Sequence, residues 1–164
     1  MIQHSFRPDR RYLYKLWVAA TLIAILSALV YALGILLLTW LIVLDSPRAA
    51  IMTLLALLFL DALWWIPAML LIYPYFNSLR YEIQEDEVVV HVGIFTHSVK
   101  HVPYRTITNL TVKQDLLDRW FFKLGSLKIQ TAGMSGQTGD EEKLVGLENY
   151  QEVYDLVATA MRRV

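Results

Sequence analysis

Asp61 stands inside an apolar run, Ala49 to Tyr73, where a carboxyl group meets little water. A carboxyl in such a setting relays protons or ions, or is held neutral or paired by a hydrogen bond. Tyr31 lies at similar depth in an earlier apolar run and is the expected partner. A relay needs a chain of polar groups, and these two supply too few, so Asp61 and Tyr31 read as a structural polar contact. His91, His97 and His101 are metal ligands by type. His91 and His97 flank the turn Gly93–Thr96 and are placed to face one another across it. His101 is four residues beyond His97, roughly 13 Å along a strand. Zinc holds its ligands at about 2.0–2.1 Å, so the three cannot share an ion. Gly133, Gly136 and Gly139 would suit a phosphate cradle, which needs a strand before and a helix after. Asp140-Glu141-Glu142 and a short strand follow instead, so Met134 to Glu142 reads as a hairpin loop. Cysteine is absent, which excludes disulfides and thiol nucleophiles. No Ser-His-Asp set and no catalytic carboxylate pair is visible. The expectation is a non-enzyme with neither metal nor cofactor.

The elements around these residues follow from composition. Hydrophobic residues make up 56% of the 164 and charged residues 18%. Soluble domains average about 45–50% and about 25%. Fifteen basic and fifteen acidic residues cancel, which argues against a nucleic-acid partner. From Leu16 to Leu44 there is no Asp, Glu, Lys or Arg. As a helix that run is about 43 Å long, and a bilayer core needs about 20 residues. Trp17 and Trp40 fall near opposite interfaces, as aromatic belts do. Asp45-Ser46-Pro47-Arg48 is a polar turn, and a second span follows over 49–73. Pro74 and Asn77 are expected to end it. The result is a transmembrane hairpin, 16–76, after a basic cytoplasmic segment, 1–15. Arg7, Arg10, Arg11 and Lys15 precede the first span and Arg80 follows the second, whereas the turn holds only Arg48. That bias places both termini in the cytoplasm and makes the five flanking cations membrane-surface residues.

Residues 77–164 are the part able to form a water-soluble core. Residues 80–84, 88–92, 98–102, 107–112, 126–131 and 143–147 alternate or are β-branched, and read as strands. Leu116 to Leu124 reads as a short helical turn. Tyr150, Val153, Tyr154, Val157 and Met161 form one helical stripe. Asn149 and Glu152 have capping-box spacing. The fold expected is an all-β barrel or sandwich capped by a C-terminal helix.

Arg80-Tyr81, Gly93, Val102-Pro103-Tyr104, Ile107, Val112, Gln114, Leu117, Arg119 and Leu127-Lys128-Ile129-Gln130-Thr131-Ala132-Gly133 resemble the signature of the membrane-flanked bacterial pleckstrin-homology domain family. Short members of that family carry an N-terminal two-helix hairpin. The resemblance implies a pleckstrin-homology-like barrel acting as a membrane-tethered interaction module, in some members linked to envelope stress or antimicrobial-peptide tolerance. Gly125 comes later than the family spacing, so the turn before it is expected to take its own shape.

Phosphoinositide binding would need cations between the first two strands of this domain. Glu85-Asp86-Glu87 stands there and repels anions. Arg119, Trp120, Phe121 and Phe122 are the candidate protein contact, because three consecutive aromatics cannot all point inward. The partners expected are membrane lipid and either a second copy or another membrane-anchored pleckstrin-homology-like protein. The alternative is a structural subunit of a larger membrane assembly, with Asp61, Tyr31, Ala28 and Gly34 at the seam.

Overall fold

The computed structural model describes residues 2–40, 46–131 and 141–163. The expected end of the first span, the residue Asp45 and the loop holding Gly133, Gly136 and Gly139 lie outside them. Two compact units emerge: residues 1–15 with 73–164, and residues 16–72.

The second unit is carried by two long helices, α1 (Arg10–Trp40) and α2 (Pro47–Ser78). Asp9 caps α1 by accepting from the Arg11 N–H at 2.7 Å. Ser46 caps α2 by accepting from the Ala49 N–H at 3.2 Å, with Pro47 in the first helical position, where its missing N–H costs nothing. Pro47 and Arg48 are therefore helical rather than part of the turn. Nor does α2 stop at Pro74. It continues to Ser78, whose hydroxyl donates to the Tyr75 carbonyl at 2.7 Å.

The domain contains two antiparallel sheets. One has the order β1 (Ile2–Phe6), β2 (Arg80–Gln84), β3 (Glu87–Val92), β4 (Ser98–Pro103). The other runs β5 (Ile107–Lys113), β6 (Gly125–Thr131), β7 (Glu141–Leu147). A 3-10 turn, Tyr104–Thr106, links the sheets. β1 lies within residues 1–15, where the sequence reads as a basic segment and not as a strand: Phe6 pairs with Tyr81 and Ser5 with Glu82. Helix α3 (Tyr150–Met161) buries Val153 and Val157, two members of the expected stripe. Its capping box does not form. Asn149 gives its amide to the Glu152 carboxylate at 3.2 Å instead of capping a backbone N–H.

The core joins the sheets through Tyr81, Val88, Val90, Tyr104, Leu127, Ile129 and Leu144. Tyr81 on β2 donates its hydroxyl to the Val145 carbonyl of β7 and accepts from the Val145 N–H, at 3.3 and 3.0 Å. Tyr104 donates to the Gln84 carbonyl at 2.8 Å. Gly146 has φ +71°, and a Cβ there would come within 2.7 Å of Tyr12. Only glycine lets that ring lie on β7.

Burial pushes the Tyr12 and Tyr81 hydroxyls well above the usual phenol range. Burial, then Asp86 and Glu87, push Tyr104 up to about 12. The neutral phenol is favoured in the fold. Its stabilisation is therefore fully present below the unfolded value of about 10 and is lost as pH rises toward the folded value. Circular-dichroism melts in detergent should show no loss from these groups up to about pH 9 and a steep loss beyond about pH 10. Three of the nine tyrosines should show phenolate absorbance late, in step with unfolding.

Candidate functional site

Strand direction sorts the domain into two ends. Arg80 opens β2 and pairs with His91 near the end of β3, so the β3–β4 turn lies beside the last turn of α2. There the Gly93 N–H donates to the Ser78 hydroxyl at 3.2 Å. Gly93 has φ +132°, and a Cβ would strike the Thr96 carbonyl, so the turn needs glycine. β5 runs toward the same end, since Asp115 and Asp118 in the turn that follows it accept from Lys15 of α1. β7 also ends there: the Asp9 N–H donates to the Gly146 carbonyl at 2.8 Å. The first turn of α1 and the last turn of α2 therefore share one end with two strand-connecting turns.

The connection between β5 and β6 is a π-type turn, Asp118–Phe122, closed by Lys123 at φ 52°. This wide turn accounts for the late Gly125. Asp118 points inward and is 2% exposed. Lys15 donates to its Oδ2 at 2.6 Å and to Asp115 Oδ2 at 3.0 Å. The ammonium lies 5.9 Å from the Tyr12 ring centre. Burial would lower the Lys15 pKa, but its bonds to Asp118 and Asp115 outweigh that and hold it above its ordinary value. Asp118 Oδ1 has no partner among the described residues. Lys15 is thus the counter-charge for a buried carboxylate.

The turn throws its other side chains outward. Leu116 is 80% exposed, Trp120 75% and Phe121 77%. Phe122 is half-buried, while Arg119 is exposed. Phe95, in the β3–β4 turn at the same end, is 86% exposed. Trp120 and Phe121 are singled out in the sequence, whereas Phe95 and Leu116, exposed at the same end, are not. An apolar Ile94-Phe95 pair at a hairpin tip was the available signal.

The cations divide. Arg11 lies 3.9 Å from Asp9 and 3.4 Å from Glu148, and Arg80 lies 3.3 Å from Glu82. With Lys15 they are committed to carboxylates. Arg7, Arg10, Lys113, Arg119 and Lys123 are exposed and make no ion pair among the described residues.

The opposite end is acidic. Glu85 and Asp86 are exposed there. A cleft of about 740 Å³ lies between β2 and α3, with Glu85, Glu152 and Asp155 on its walls against Arg163 and His4. The histidines do not face one another: His91 pairs with Val99, and His101 Nδ1 lies 2.8 Å from Glu87.

In the helical unit, Asp61 Oδ1 accepts from the Ser27 hydroxyl at 2.8 Å and from the Trp64 indole N–H at 2.7 Å. Tyr31 is not its partner. The Ser27 bond sets Ser27 level with Asp61. Tyr31 falls one helical turn nearer the connection.

A family model described as a bacterial PH domain matches residues 14–161. A structural likeness is found to the crystal structure of a DUF1696 family protein with a pleckstrin-homology domain from Shewanella loihica PV-4. It has 14% identity over 51% of this chain and 71% of that one, with a TM-score of 0.38. No curated protein matches the chain.

Lys15→Met should destabilise the domain by about 3 kcal/mol, because it leaves Asp118 buried without its counter-charge. Adding Asp118→Asn should recover part of that loss. Denaturant melts of the single and double variants in detergent check both expectations.

Proposed function

The chain belongs to the bacterial PH domain family, and from that premise we propose that it is a membrane-anchored interaction module at the inner face of the cytoplasmic membrane. A fold of this kind is a generic interaction module and is generally non-catalytic. One observation carries the anchoring. α1 and α2 are 31 and 32 residues long, yet only 6% of the most apolar window of each is buried. Leu22, Ile23, Leu26, Leu55, Phe59 and Leu70 are all exposed. Water tolerates no apolar surface of that extent on a stable monomer, whereas lipid does. The cations flanking the runs favour cytoplasmic termini. The domain then meets a second copy or another membrane-anchored PH-like protein, in a setting of envelope stress or antimicrobial-peptide tolerance.

A second reading, a subunit of a larger membrane assembly, is favoured by a recess of about 260 Å³ beside Asp61. Thr21, Ala24, Ala28 and Ala62 line it, and small residues let helices approach closely. The indole N–H of Trp65, also in its wall, is buried without a partner among the described residues.

The protein should stay with membranes through an alkaline carbonate wash and require detergent for extraction. A monodisperse particle in plain buffer would contradict the anchoring. For the second reading, Asp61→Asn should leave particle size in mild detergent unchanged, and Asp61→Leu should reduce it. Equal size for the Leu variant removes that reading.

A further inference from the structure

We propose that the aromatic turns of the domain, Phe95 on one sheet and Leu116, Trp120 and Phe121 on the other, insert into the headgroup region of the inner leaflet. The domain is then docked on the bilayer rather than suspended from it. This inference rests on the anchoring proposed above.

Two independent bonds lead to it. Lys15 immediately precedes Leu16, the first residue of the apolar run, and its ammonium is bonded to Asp118 at 2.6 Å. Trp120 is two residues further, so its Cα lies within about 7 Å of that of Asp118. At the other root, Ser78 accepts from the Gly93 N–H at 3.2 Å, and Phe95 is two residues further. The polar region flanking a bilayer core is of similar depth, about 5–8 Å a side. Each aromatic turn is therefore held within reach of lipid by a bond at the foot of a long apolar helix.

The chemistry suits that occupant. Trp and Phe beside Lys and Arg are the mixture that interfacial segments use, with the rings at the acyl boundary and the cations among phosphates. Asp9, Asp115, Asp118 and Glu148 are all taken up by Arg11 or Lys15. The exposed charges left at this end are mainly Arg7, Arg10, Lys113, Arg119 and Lys123. Each is attracted to an anionic surface. Among the described residues of the domain, the large apolar side chains left exposed are Tyr14, Tyr73, Phe95, Val99, Leu116, Trp120 and Phe121. By strand direction all lie at this end, whereas Glu85 and Asp86 lie at the other.

The chain has no cysteine, so single cysteines can be labelled without background. Leu26→Cys, Phe95→Cys, Phe121→Cys and Glu85→Cys would each carry a bimane label. Each full-length protein is reconstituted into vesicles of phosphatidylethanolamine and phosphatidylglycerol. Nitroxide lipids labelled at the headgroup or deep in the chain report depth, and iodide reports water. Leu26 should lose its emission to the deep nitroxide; if it does not, the anchoring itself fails. With Leu26 quenched, labels at 95 and 121 should lose most of their emission to the headgroup nitroxide and little to iodide. The label at 85 should do the reverse. Quenching of 95 and 121 by iodide overturns the proposal. So does protection from both quenchers, which would mean a protein partner, and so does lipid quenching of 85 to the same extent.

Discussion

The Lys15–Asp118 ion pair fixes what the rest of the molecule can do. A buried carboxylate with one oxygen unpartnered among the described residues is costly to hold away from water, and a single ammonium on the first turns of α1 offsets that cost. Asp118 cannot leave Lys15 without exposing an uncompensated charge to an apolar core. The π-type turn that carries Asp118 also carries Trp120 and Phe121, so their position follows from the same bond. The Ser78–Gly93 contact does for the other sheet and the other helix what Lys15 does for this one.

These contacts give the domain a polarity that neither sheet has alone. Strand direction gathers the turn at Gly93, the turn at Asp118 and the end of β7 with the helix roots, and sends Glu85, Asp86 and the linking 3-10 turn to the far side. Tyr81 locks the two sheets in that register by bonding both polar groups of Val145. The exposed rings stand at one end with Arg7, Arg10, Lys113, Arg119 and Lys123, and Glu85 and Asp86 stand at the other. The lipid docking proposed above uses the end that carries the rings.

Much of this was legible in the residues. The six strands of the C-terminal region show themselves because Arg80–Gln84, Ser126–Thr131 and their neighbours alternate or are β-branched, and α3 because Val153 and Val157 recur at helical spacing. β1 was hidden: Phe6 pairs with Tyr81, 75 residues away, and Gln3, His4 and Ser5 leave only Ile2 and Phe6 apolar. The partner of Asp61 was misjudged because the depth of a residue in a hairpin depends on where the chain reverses. Phe95 could not be joined to Trp120 by any local pattern, since their common end follows from pairing across two sheets. The Asn149 box failed because spacing permits a cap without fixing the backbone angles that make one.

The claim on which the rest depends is that the chain crosses a bilayer twice with its domain inside. Reaction of single cysteines with a membrane-impermeant maleimide on intact cells tests it most directly. Ser46→Cys, at the connection between the helices, should label on intact cells. Ser5→Cys in β1 and Arg162→Cys after α3 should label only once the membrane is broken. Labelling of Ser5 or Arg162 on intact cells, or of Ser46 only after lysis, would contradict the account.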